Sequence, residues 1–326
     1  MNLKSLIAHE AYHGFLRKPV SFTSSLLLNL DLYPKKYRYE LLQAHFNTSE
    51  IAIPHLTKLY EHLQPSSSAP HIALFHIPKT AGTSVRVAIG KELGIAPISN
   101  YRADSLIQPE NWKSIAFWPY LAGHTSVFNF PKSHTGVTFF REPRSRLLSS
   151  YRQIEKGALS RGIRRSTKDE KQLRNWEQIS SQSFSDWLFN AYERTTARFF
   201  FPGTEAEFFN AITSQSDEEI RGQLREGLHR VEYAGWSHES SSIESILRQI
   251  FGKPIQIPRL NIFNQESEYR LISLTPADLE TIKSVTRFDQ LLIDVAGDMG
   301  LIKPLTTSTA DAIFEESAQR LGFRLP

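Results

Sequence analysis

Three short stretches carry residue types that could do chemistry. The first is His76-Ile-Pro-Lys-Thr-Ala-Gly-Thr-Ser84. A glycine-bearing loop between a strand and a helix turns backbone N–H groups towards an anion, and the helix dipole favours negative charge there. Lys79 adds a full positive charge, Thr80, Thr83 and Ser84 add hydroxyls, and Ala81 and Gly82 keep the loop slim. The second is Phe139 to Tyr151, FFREPRSRLLSSY, which sets Arg141 at a strand end and Ser149 eight residues later. A helix between them can bring the Ser149 hydroxyl and the Arg141 guanidinium to one phosphate. The third is His124 in LAGHTSVF. A neutral imidazole near pH 7 suits removal of a proton from an alcohol.

Two phosphate-holding segments imply a ligand with two phosphate ends. 3′-Phosphoadenosine 5′-phosphosulfate (PAPS) has that shape. A Walker A loop is the obvious rival, but it needs G-x-x-x-x-G-K-[ST], with lysine after the glycines. Here Lys79 precedes Gly82 and no Gly-Lys-Ser/Thr follows. A plain strand–loop–helix turn with incidental polar residues is the competing reading of the first loop alone.

The elements that must position these groups can be read from the apolar pattern. His71 to Ile77 is a short apolar run expected to be a buried strand, and SVRVAIGKEL a helix stopped by Gly94. Further strands are expected near Pro119 to Ala122, over Gly136 to Phe140 and over Val231 to Trp236. Pro143 suits the first position of a helix running to Gly157. FSDWLFNAYERTTARFF reads as helix, and Ser240 to Phe251 as an amphipathic helix closed by Gly252. Thr275 with Pro276 opens a long helix towards Gly297, and a surface helix is expected after Pro304. Lys79, His124 and Arg141 then all sit at carboxyl ends of strands, where open α/β sheets bind ligands. The expected organisation is a helical N-terminal extension over 1–69, ended by the PSSSAP linker, an α/β domain over 70–303 and a helical tail over 304–326.

Together the two phosphate segments resemble the PAPS-dependent sulfotransferases, and most closely the family-2 carbohydrate group that includes heparan sulfate 2-O-sulfotransferase. Members carry P-K-[TS]-x-x-[TS]-[ST] as the 5′-phosphosulfate loop and R-x-P-x-x-R-x-x-S-x-[YF] as the 3′-phosphate site. This chain matches them at Pro78 to Ser84 and at Arg141 to Tyr151. Weaker similarities follow at Thr195 to Gly203, at YAGWSHESSSIESIL, at Arg259 to Asn261 and at Phe288 to Ala296, so the resemblance spans roughly 70–298. It implies a P-loop-like three-layer fold, with a mainly parallel sheet between helices. It also implies PAPS as co-substrate, 3′,5′-ADP as product, Lys79 and His124 as catalytic residues, and a hydroxyl acceptor that is a carbohydrate or small metabolite. His76 has a structural part on this reading, and His134, His238 and Glu142 are weaker candidates for the base. Two alternatives stay open: a P-loop-type kinase, and a degenerate sulfotransferase fold that binds a nucleotide without turnover.

Composition narrows the rest. The chain has no cysteine, which excludes disulfides, thiolate nucleophiles and cysteine-ligated metals. No metal site is expected. The apolar runs fall well short of a membrane span, and the N-terminal run is broken by His9 and Glu10. A soluble cytoplasmic protein is expected. A net charge of +4 suits an anionic ligand without requiring one. The basic run from Arg161 to Arg174 is read as a solvated loop, and no pattern for nucleic acid stands out.

Overall fold

A computed structural model describes residues 69–95, 97–99, 109–162, 183–189, 191, 195–258 and 271–326, together with Thr57, Tyr60 and Glu61. Its centre is a five-stranded parallel sheet flanked by helices. Strand β1 is Ile72–Phe75, and helix α1, Gly82–Leu93, follows it. Next come β2, Ile98–Ser99, β3, Tyr120–Gly123, and β4, Thr135–Phe140. Helix α2 is Pro143–Gly162, α3 Phe184–Phe189, α4 Glu205–Ser214 and α5 Asp217–Leu228. Then β5, Tyr233–Trp236, leads to α6, Ser240–Phe251. The chain ends with β6, Ile272–Ser273, α7, Pro276–Val285, α8, Arg287–Asp298, α9, Thr307–Arg320, and β7, Phe323–Arg324.

The strand order is β2-β3-β1-β4-β5. From β1 the chain first runs out to β2 and β3, then crosses to β4 on the other side. Such a reversal leaves a crevice at the carboxyl ends of β1 and β4, the usual ligand position in this architecture. All four residues of β1 are buried, as a central parallel strand covered on both faces requires. Gly94 closes α1 in the left-handed region at φ 63°, where a side chain would be strained.

Two apolar clusters hold the domain together. The larger joins the sheet to α1, α4, α5, α6 and α8 and contains Trp112, Trp118, Phe130 and Phe200. The smaller joins α2, α3, α7, α9 and β7 through Leu148, Tyr151, Trp187, Ile282, Phe314 and Phe323. The C-terminal segment is therefore docked: α9 buries Phe314 and Ala318, and β7 pairs with β6 at Ile272↔Phe323. Arg152 of α2, fully buried, clamps the turn after α9 by donating to the carbonyls of Leu321 and Gly322 at 2.7 and 3.1 Å.

Two expected helices turn out differently. The one expected over FSDWLFNAYERTTARFF ends at Phe189, and Ala197–Phe199 forms a separate 3-10 turn. There the N–H groups of Thr196 and Ala197 go to the Asp289 carboxylate, at 2.6 and 3.1 Å, instead of to helix carbonyls. The long helix from Thr275 breaks at Thr286, which caps α7 and opens α8. The Thr286 hydroxyl donates back to the Ile282 carbonyl at 2.7 Å, a bond that bends helices without any glycine or proline to announce it. Helices α4 and α5 went unread, although each opens on a capping box, Thr204/Glu207 and Ser216/Glu219.

Of the 1–69 extension, Tyr60 is described and packs edge-on against Phe117 at 5.5 Å. The basic run beyond Gly162 and the Arg259 to Asn261 segment lie outside the described residues.

Candidate functional site

The carboxyl edge of the sheet collects the chemistry. Residue pairing Phe75↔Gly123 in β1 and β3 continues one step, with the His76 N–H donating to the Gly123 carbonyl at 3.1 Å. His76 and His124 therefore leave adjacent strand ends side by side. Their rings lie 4.5 Å apart, with His124 Nε2 at 3.2 Å from His76 Nδ1. On the other side of β1, Arg141 leaves the end of β4, and His238 follows the end of β5.

The loop between β1 and α1 is strained. Lys79 and Ala81 hold positive φ values of 72° and 58°, and a non-glycine residue pays about 1–2 kcal/mol for such backbone. Strain of this kind persists where surrounding structure enforces it, and it gathers at binding sites. Thr80 is buried and spends its hydroxyl inside the loop, donating to the Ile77 carbonyl at 2.8 Å. The first N–H groups of α1, at Gly82 and Thr83, have no intrahelical acceptor and face outward from the helix start. Gly82 is required: a Cβ there would stand 1.8 Å from the His76 ring. Ser84, in the same first turn, is buried.

Lys79 and Arg141 meet here. The Arg141 guanidinium donates to the Lys79 carbonyl at 3.3 Å. Burial and the neighbouring Arg141 lower the Lys79 pKa to about 8. Burial, with Arg320 and Arg146 nearby, lowers that of Arg141 to about 10. Two cations brought together out of water raise each other's cost until an anion joins them. Ser149 lies on α2, buried, on the face that also carries Ser145 and Arg152. Ser145 and Arg152 both bond to the C-terminal segment, through the carbonyls of Ile313 and Leu321.

His124 is held neutral. Burial first, then the charges of Arg86 and Arg198, lower its pKa to about 4. Burial, His124 and Arg86 likewise hold His76 well below the ordinary histidine value. Arg86 on α1 and Arg198 in the 3-10 turn are site residues that sequence reading did not name; Arg86, inside a helix, has no motif to mark it, whereas Arg198 lies in the Thr195 to Gly203 segment of weaker similarity. Arg198 is placed by the Asp289 brace, since the turn Thr195–Ala197 is tied to that carboxylate.

The other candidate bases are spent or distant. Glu142 caps α2, accepting from Ser145 N at 2.7 Å and Arg144 Nε at 2.6 Å. His134 stands at the opposite, amino end of β4, with Nε2 at 2.8 Å from the Trp118 carbonyl. His238 sits beside Arg141, two strands beyond β1 from the sheet centre and three strands from His124, roughly 14 Å at ~4.8 Å per strand.

No protein-family model matches this chain, and a search of curated proteins finds no significant match. Among the described residues no helix is long and apolar enough to cross a membrane.

Proposed function

We propose that the chain is a PAPS-dependent sulfotransferase of P-loop-like fold, acting in the cytoplasm on a hydroxyl of a carbohydrate or other small compound. The observation that carries this reading is the convergence of Lys79 and Arg141 at the carboxyl ends of β1 and β4, beside a strained loop that opens α1. Such a place favours an anionic ligand that carries phosphate. The order of lysine and glycine speaks against a Walker A nucleotidase.

In this mechanism the acceptor oxygen attacks sulfur in line while the bond from sulfur to the 5′-phosphate oxygen breaks. The electron pair of that bond stays on 3′,5′-ADP. Lys79 meets the charge growing on the leaving oxygen. His124 takes the hydroxyl proton. Its pKa of about 4 makes it a weak base in the free protein. Burial is the larger cause of that depression; the smaller cause, the charges of Arg86 and Arg198, is offset once a polyanion lies near them, which raises the basicity of His124 when the donor is bound.

A thermal-shift series tests the reading. With 3′,5′-ADP at about 100 times its Kd, and no magnesium, stabilisation by mass action is about 2.7 kcal/mol. For a chain of this size that is a rise in Tm of roughly 4 °C. ATP with magnesium should not match it; if ATP does better, the kinase alternative stands instead. Transfer of ³⁵S from labelled PAPS to a compound in a cell extract completes the test. Binding of 3′,5′-ADP without any transfer would leave a nucleotide-binding protein.

A further inference from the structure

The His76–His124 pair has a geometry that plain packing does not require. The two rings are placed by strand register, not by flexible loops, and their facing nitrogens stand 3.2 Å apart. That separation is a hydrogen bond, so one proton lies between them. The opposite edge of His76 is pressed on the first turn of α1. Its Cδ2 and Nε2 occupy the space that a Gly82 side chain would fill. The groups that face His124 include His76 at the end of β1, Arg86 of α1 and Arg198 of the 3-10 turn. All the fixed charges among them are positive, so the pair is neutral overall and its chemistry lies in where the shared proton sits.

Two arrangements exist. In one, His76 Nδ1–H donates to His124 Nε2, and His124 then carries its own proton on Nδ1 and cannot accept another there. In the other, His124 Nε2–H donates to His76 Nδ1, which leaves His124 Nδ1 with a lone pair and puts a proton on His76 Nε2. The positive end of the α1 dipole disfavours a proton on Nε2 while the loop holds no anion. An anion seated at the helix start accepts from that Nε2–H and reverses the preference.

We infer that His76 is a positioning residue that couples the phosphate loop to the base: an anion bound at the start of α1 fixes the tautomer of His76 and thereby frees Nδ1 of His124 to take the acceptor proton. This deepens the sulfotransferase reading and rests on it for the identity of the base. It gives the enzyme an ordered logic, in which the base is ready only when the donor is in place.

The experiment is long-range ¹H–¹⁵N correlation on histidine-labelled protein, which distinguishes the two tautomers of each ring. Inorganic pyrophosphate and 3′,5′-ADP are the probes. The expected result is that either anion at saturation moves His124 to the Nε2–H form. His76→Leu should abolish that shift; His76→Asn, which keeps an acceptor near the Nδ1 position but has no Nε2–H to give the anion, should hold His124 in the Nε2–H form whether or not anion is bound. In turnover, His76→Leu should lower kcat about 10–100-fold, the lower part of the range for lost acid–base help. KM for PAPS should change little, and His76→Asn should recover at least part of the rate. A tautomer that ignores saturating anion, or that shifts equally in His76→Leu, overturns the coupling. Equal loss of rate in the Leu and Asn variants also overturns it, because a merely structural ring would show that pattern. The two readings fail separately. An anion-driven tautomer shift without ³⁵S transfer sinks the sulfotransferase reading and keeps the coupling. Normal turnover by His76→Leu does the reverse.

Discussion

Asp289→Ala should be the most damaging single change in the domain. Asp289 is 2% exposed and is the hub of five contacts. One oxygen accepts from Thr195 Oγ1 at 2.5 Å, Thr196 N at 2.6 Å, Thr196 Oγ1 at 2.9 Å and Ala197 N at 3.1 Å. The other takes Arg146 Nη2 at 2.7 Å. Removing the carboxylate leaves the buried Arg146 guanidinium without its anion, and a broken buried pair costs about 3–5 kcal/mol. The two orphaned N–H groups would add 1–3 kcal/mol each if independent, but losses at one hub are not additive, so about 4 kcal/mol is the working figure. At about 1.5 °C per kcal/mol for a chain of this size, Tm should fall roughly 6 °C by scanning calorimetry. Asp289→Asn keeps an acceptor for the Thr195–Ala197 turn while losing the charge opposite Arg146, and should fall between the variant and the parent. Any folded fraction of Asp289→Ala should lose turnover more than nucleotide affinity, because the freed turn carries Arg198 beside His124. A Tm within about 2 °C of the parent would show that the carboxylate is no brace and that the position of Arg198 has another origin.

Four other outcomes are expected. Arg141→Ala should weaken 3′,5′-ADP binding by about 1.5–3 kcal/mol, with little effect on the chemical step, because a 3′-phosphate keeps its charge throughout; isothermal titration beside a turnover rate checks both halves. His124→Ala should leave that affinity nearly intact and lower kcat roughly 10²–10⁴-fold, and Lys79→Ala should lower kcat with some loss of affinity; a His124→Ala enzyme near the parent rate moves the base elsewhere. In pH–rate profiles the acid limb of kcat should lie at higher pH than that of kcat/KM, because the bound donor offsets Arg86 and Arg198 while the free protein holds His124 at about 4; coincident limbs would deny the coupling. Stability should drop on acidification between pH 6.5 and 4, where the unfolded chain protonates histidines that the fold keeps neutral, His124 and His134 each with a pKa of about 4. The loss at full effect is about 3 kcal/mol per histidine as an upper bound, readable as a falling urea midpoint, and His134→Gln should flatten part of that slope.

Much of the site's frame was legible in the sequence because it is local. A continuous apolar run must be a buried strand, Pro143 suits only the first turn of a helix, and Gly94 or Gly252 ends one; each of these follows from backbone sterics or burial over a few residues. The placing of Lys79, His124 and Arg141 at strand ends was legible for the same reason. What the sequence could not contain was register and long-range partnership. The pairing of His76 with His124 depends on Phe75 lying beside Gly123, 48 residues away in sequence. The helix lost at Thr195 depends on the carboxylate of Asp289, which reaches that turn from α8, 93 residues beyond Thr196. Arg86 looks like any helical arginine until the fold sets it beside two histidines. Local sterics act on neighbours along the chain and so can be read from it; charge and hydrogen bonding act on neighbours in space, which only the tertiary structure decides.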